Sequence, residues 1–245
     1  NGYGVIIDGA NSNFVYNNTI GGQFGNVHGI LVDGGASNNS IGNGAAERNV
    51  ISGNDSMAVL LTNSTSNTVN GNYIGLAADG QTVNKNLIGI YMGGATNSQI
   101  GDVGDQGNII SGNTIGGILA ESNSDGNNFV NNYIGTDFTG NVLPLGTSNG
   151  FGIYIGDSDA NTIGGTWTNT ATNEGNVLSG NNLEGVLLDA ATNTSITGNN
   201  IGLSRDNNAY IGNVDAGIKL ENGSDGNFIG GTGVGLENII SDNFV

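Results

Sequence analysis

The chain has 245 residues, with 46 Gly, 43 Asn, one Pro and no Cys, and its 21 acids against four bases give a net charge of −17. Disulfides and thiolate metal sites are excluded without Cys, and four scattered bases, Arg48, Lys85, Arg205 and Lys219, cannot neutralise a nucleic-acid backbone, so no nucleic-acid partner is expected. No apolar run approaches the ~18 residues of a membrane helix, so no membrane insertion by this segment is expected, and 36% apolar residues is too many for a disordered polar chain.

The first predicted element is Gly4-Val-Ile-Ile, a small residue followed by apolar–x–apolar. It recurs at Gly29, Ala58, Gly89, Gly117, Gly152, Gly185 and Gly217, 25 to 35 residues apart. A second strand follows each copy, marked by Val15, Ile41, Val69, Ile100, Val130, Ile163, Ile196 and Ile229. Asn stands two residues earlier in six copies, at Asn13, Asn39, Asn67, Asn128, Asn161 and Asn227. A third strand opens on Asn18, Asn49, Asn72, Asn108, Asn132, Asn176, Asn199 and Asn238, with Ile or Leu two residues later every time.

Three short strands per ~30 residues cannot enclose a core alone, but stacked coils can. Alternation turns Val5 and Ile7, Ile30 and Val32, Val59 and Leu61 inward. Asn at fixed corners tolerates left-handed backbone and can form amide ladders from coil to coil. The chain reads as all-β: a right-handed parallel β-helix of about eight coils, roughly 40 Å long at ~4.8 Å per coil. Odd coils carry a long loop after strand three (76–88, 136–151, 203–216), and even coils an insertion between strands two and three, so the unit is a two-coil repeat of about 60 residues.

Gly71-Asn-Tyr-Ile-Gly75, Asn132-Tyr-Ile-Gly-Thr-Asp137, Asn161-Thr-Ile-Gly-Gly-Thr166 and the Asn-Val/Ile-Ile/Leu-Ser-Gly-Asn segments at 49–54, 108–113 and 176–181 carry a resemblance. The whole chain resembles the β-helix repeats of the pectate-lyase-like superfamily, as in large bacterial secreted or surface proteins. That resemblance implies the fold and an extracellular or cell-surface location. It does not choose among lyases, hydrolases, adhesins and inert stalks. Residues 1–245 read as a single β-helix domain, a segment of a longer array without its natural caps.

The residue after each first strand forms a column with two acidic neighbours, Asp8/Asp33 and Asp189/Glu221. Paired carboxylates suit a solvated acidic corner, Ca²⁺ or the acid and nucleophile or base of glycoside hydrolysis; no cofactor is required. The resemblance implies, for a lyase, an Arg or Lys base beside acidic Ca²⁺ ligands. Lys219 is best placed, in Gly217-Ile-Lys219, but no Gly-His-Gly motif is present, because His28 lies in Val27-His-Gly. No catalytic residue is assigned.

Outward positions of the first strand are unusually apolar: Ile6, Leu31, Leu60, Tyr91, Leu119, Tyr154, Leu187 and Lys219. Either the odd-coil loops cover this stripe with Leu87, Phe138, Leu143, Pro144, Leu145 and Tyr210, or Tyr91 and Tyr154 form a sugar platform. Asp79, Asp137 and Asp206 are expected to start Asx-type turns in those loops. The regular repeat favours a non-catalytic stalk, adhesin or fibre segment, with polysaccharide or neighbouring copies of itself as partners. A carbohydrate-active domain is the alternative.

Overall fold

The computed structural model describes residues 2–104, 107–143, 147–167 and 173–244; Pro144 and Leu145 lie outside them. The chain winds into a right-handed parallel β-helix of eight coils, each giving one strand to each of three parallel eight-stranded sheets. The first sheet runs from Tyr3–Asp8 through His28–Asp33, Met57–Thr62, Ile88–Gly93, Gly116–Glu121, Phe151–Gly156 and Val186–Asp189 to Ile218–Glu221. The second begins at Phe14–Val15 and ends at Phe228–Ile229, and the third begins at Thr19–Gly21 and ends at Ile239–Ile240. Among the described residues no helix is long and apolar enough to cross a membrane.

Register follows the sequence columns. Val5 stands over Ile30, then Val59, Ile90, Ile118, Ile153, Val186 and Ile218. One apolar cluster runs through these coils from Ile7 to Ile201, since a strand with one face inward buries every second residue. The second strand of the fifth coil corrects the sequence reading. Strand Asn128–Phe129 pairs Phe129 with Ile100 and Ile163, so Phe129 is the fully buried residue, and Val130 is not the inward one. The adjoining apolar pair Phe129-Val130 hid a one-residue slip.

Asn side chains hold the coils together. In the third-sheet corner each Asn donates its backbone N–H and its side-chain amide to the Oδ1 of the next Asn, from Asn18 through Asn49, Asn72, Asn108, Asn132, Asn176 and Asn199 to Asn238. A second ladder, not foreseen, runs just before the first strand: Asn26, Asn54, Asn86, Asn113, Asn149, Asn181, Asn213 and Asn243. The second-strand corner is a mixed ladder of Asn13, Asn39, Asn67, Ser98, Asn127 and Asn161. Asn127, not Asn128, holds its place there. Left-handed backbone falls to different Asn residues, among them Asn17, Asn38 and Asn131, each one position before a ladder Asn. Gly75 adopts φ 83° where an added Cβ would lie 2.1 Å from the Ser111 carbonyl, so close stacking requires glycine there.

The odd-coil loops do not cover the first-sheet stripe. Each begins as a small antiparallel hairpin, bridged at Leu76 and Val83, Thr136 and Val142, and Leu203 and Tyr210. They pack on the outer face of the third sheet, where Leu76 and Leu143 join Tyr73, Ile109, Tyr133 and Val177 in a second apolar cluster flanked by Trp167. Tyr210 is 74% exposed, and Leu87 is half-buried on the link into the next first strand. Asp79 and Asp137 do cap their turns, accepting backbone N–H groups from Gln81 and Thr82 and from Thr139 and Asn141. In the third hairpin Ser204 does this for Asn208 and Ala209, and Asp206 does not.

Candidate functional site

On the first-sheet face the apolar stripe is continuous, with Ile6, Leu31, Leu60, Tyr91, Leu119, Tyr154, Leu187 and Lys219 in successive register. Exposure along it is uneven: Leu60 and Leu187 are 8% and 5% exposed, whereas Ile6 in the first coil is 55% exposed.

Tyr91 and Tyr154 are two coils apart, about 10 Å, with Leu119 between them. Each ring lies along its strand over the glycine two residues on. An added Cβ at Gly93 would be 2.9 Å from the Tyr91 ring, and one at Gly156 would be 2.6 Å from the Tyr154 hydroxyl. That explains both glycines in the otherwise polar column. Each hydroxyl then reaches diagonally to an acid of the next coil, Tyr91 to Glu121 at 2.8 Å and Tyr154 to Asp189 at 3.0 Å. Burial, reinforced by these acceptors and their charge, pushes both phenols up to about 12.

The acidic pairs stand in register, Asp8 beside Asp33 and Asp189 beside Glu221. Their surroundings differ. Asp189 accepts from Tyr154 and, at 2.7 Å, from Asn222, while Glu221 holds Lys219 at 3.0 Å. Asp33 is contacted by the Asn63 amide at 3.2 Å, and the adjacent Gly34 N–H keeps its carboxyl below the usual carboxylate range. Among the described residues no group of three or more His, Asp or Glu could hold a metal ion. Asp8 and Asp33 bring two carboxylates side by side and no third.

Lys219 lies between Glu221 and Glu184, the latter at 3.4 Å, and hydrogen bonding to them raises its pKa. An ammonium held this way is a poor proton acceptor. His28 stacks on Tyr3 with ring centroids 5.0 Å apart, and burial lowers its pKa; no nucleophile–acid pair accompanies it among the described contacts.

The sequence reading missed a cleft of about 340 Å³ on the third-sheet face. It lies between the even-coil insertions and the odd-coil hairpins. Tyr73, Ile109 and Tyr133, in successive register, form its floor. Arg48 lies over the Tyr73 ring at 3.8 Å and Arg205 over the Tyr133 ring at 5.5 Å. The two arginines are 157 positions apart in sequence, so only the landing of the hairpins joins them. Comparison with protein-family models, curated proteins and solved structures gives no match.

Proposed function

We propose that the chain is a non-catalytic structural module, a rigid rod segment serving as stalk, adhesin or fibre element of a secreted or surface-attached bacterial protein of the pectate-lyase-like β-helix type. One observation carries this reading: the third-sheet Asn ladder passes through all eight coils without interruption. Interlocked coils resist bending and shear because displacing one breaks bonds to both neighbours. A carbohydrate-active groove would be supported by a coil that departs from this regularity to converge acids and a base; the best candidate base, Lys219, is held by two acids. High negative charge suits a solvated surface element that must not clump laterally.

A modular rod should tolerate removal of a whole repeat. Excising residues 57–115, two coils, is expected to give a folded protein about 10 Å shorter by small-angle scattering. The full chain is expected to leave acidic and neutral polysaccharides uncleaved. Turnover of any of them, or collapse of the excised form, would overturn the structural reading.

A further inference from the structure

We propose that the cleft between Arg48 and Arg205 is a binding site for a small ligand carrying oxyanion groups, carboxylate or sulfate. Half of the chain's four cationic side chains converge there. On a molecule with 21 acids the simplest fate of an arginine is an ion pair, as Lys219 shows. Yet among the described residues neither arginine has a carboxylate within 4.0 Å. Glu47, next to Arg48, is bound instead by the Asn43 amide at 2.6 Å.

Both guanidinium groups border the cleft. Arg48 spends its Nε on the Gly71 carbonyl at 2.9 Å and one guanidinium face on Tyr73. This fixes the plane and leaves the two Nη groups, a fork that fits a planar carboxylate or a pair of sulfate oxygens. Arg205 occupies the second position after the bridge of its hairpin, the position held by Phe138 in the hairpin before, and both residues line the cleft. An apolar side chain holds the equivalent position in the hairpin before, Phe138, so lining the cleft does not by itself call for a charge. A volume of about 340 Å³ is at the lower end of small-molecule sites, and the aromatic–aliphatic floor of Tyr73, Ile109 and Tyr133 offers contact to a ligand body between its charged groups.

The test is calorimetric titration of the full 245-residue chain with citrate and, separately, with inorganic sulfate, at ionic strength held constant with sodium chloride. Saturable binding of at least one anion is expected, weakened about tenfold by Arg205→Gln and abolished by Arg48→Gln/Arg205→Gln. Arg205 is exposed and makes no side-chain hydrogen bond among the described residues, so Arg205→Gln should melt like the parent. Lys85→Gln removes the same charge from an exposed site elsewhere and should leave binding unchanged. Citrate binding alone identifies a planar carboxylate as the recognised group; sulfate binding extends recognition to tetrahedral oxyanions. No saturable heat with either anion, or equal losses in Lys85→Gln and Arg205→Gln, would overturn the proposal.

Discussion

Oδ1 of Asn108 accepts both the backbone N–H of Asn72, at 3.1 Å, and its side-chain amide, at 3.0 Å. Asn108 in turn donates to the Val69 carbonyl at 2.8 Å and, through both N–H and amide, to Asn132. One fully buried side chain therefore serves three coils. Truncation would strand the backbone N–H of Asn72 away from water, while the Asn72 amide keeps the Ile41 and Asn70 carbonyls and the Val69 carbonyl keeps the Gly101 N–H. Asn108→Ala is expected to cost about 3 kcal/mol in chemical denaturation. Asn108→Asp should cost more at neutral pH, because a carboxylate cannot donate to Val69 or Asn132, and part of that loss should return on acidification. A variant as stable as the parent would show that the ladder decorates the coils without holding them.

The ladder in the second-strand corner is defective at Thr194. Its hydroxyl is buried without a hydrogen-bond partner among the described residues, although its backbone N–H still donates to Asn227 at 2.8 Å. Asn at this position could accept from Asn161 above and donate to Asn227 below. Thr194→Asn is expected to stabilise the chain by about 1 kcal/mol, read as a higher melting temperature. A fall would mean that the corner is too narrow for the amide.

How far the sequence foretold this architecture can be judged from these corners. The third-strand Asn column was legible because Ile or Leu follows it at a constant interval in every coil. Its companion, Asn26 to Asn243, was hidden because the spacing to the next strand varies: Asn26 stands three residues before Gly29, but Asn54 stands four before Ala58. The register at Phe129 is legible in the sequence, since Asn67 precedes Asn72 by five residues and Asn127 precedes Asn132 by the same five. Where the hairpins would land was not legible. Their tips carry no periodicity, and the choice of the third-sheet face depends on packing among Leu76, Leu143 and Tyr133. The Arg48–Arg205 cleft follows from that packing and was invisible with it.

Tyr91 and Tyr154 give the rod an alkaline limit. Each phenol is raised to about 12 in the folded chain against about 10 unfolded. The fold therefore favours the protonated phenols. Their contribution is full below about pH 10 and is lost as pH rises toward about 12. Comparing denaturation at about pH 9 and about pH 11, the parent should lose more stability than the Tyr91→Phe/Tyr154→Phe double variant. Parallel losses would assign the alkaline sensitivity to other groups.

Calcium should act chiefly at Asp8/Asp33, because Asp189 and Glu221 are engaged by Tyr154, Asn222 and Lys219. Ca²⁺ on the order of millimolar is expected to raise the melting temperature relative to EDTA, and Asp8→Asn should remove the difference. An equal rise in the variant would reduce the effect to general screening of the −17 charge.

The ladders also have a direction, and that direction predicts assembly. In every ladder the donor belongs to the earlier coil and the acceptor side-chain oxygen, Oδ1 of Asn or Oγ of Ser98, to the later one, as in Asn18 to Asn49 and Asn199 to Asn238. At the first coil the Oδ1 atoms of Asn13, Asn18 and Asn26 thus receive no donor among the described residues. At the eighth coil the backbone N–H groups of Asn227, Asn238 and Asn243 meet no further Asn among the described residues. The eighth coil also opens its interior, with Ile229 49% and Ile240 47% exposed around a cavity bordered by Ile218. Donors at one end and acceptors at the other, each beside an apolar core, are complementary head to tail. Such contacts do not close, so they extend a filament. Opposing this is repulsion between rods of charge −17, which salt screens over about 10 Å at 0.1 M, whereas the buried end contacts are screened far less. The 245-residue chain is expected to associate end to end in sedimentation velocity, with larger species at higher salt. Asn238→Asp together with Ile240→Asp, which place charge in the open end, should return it to monomer. A strictly monomeric 245-residue chain at high concentration and high salt would refute the end-to-end contact.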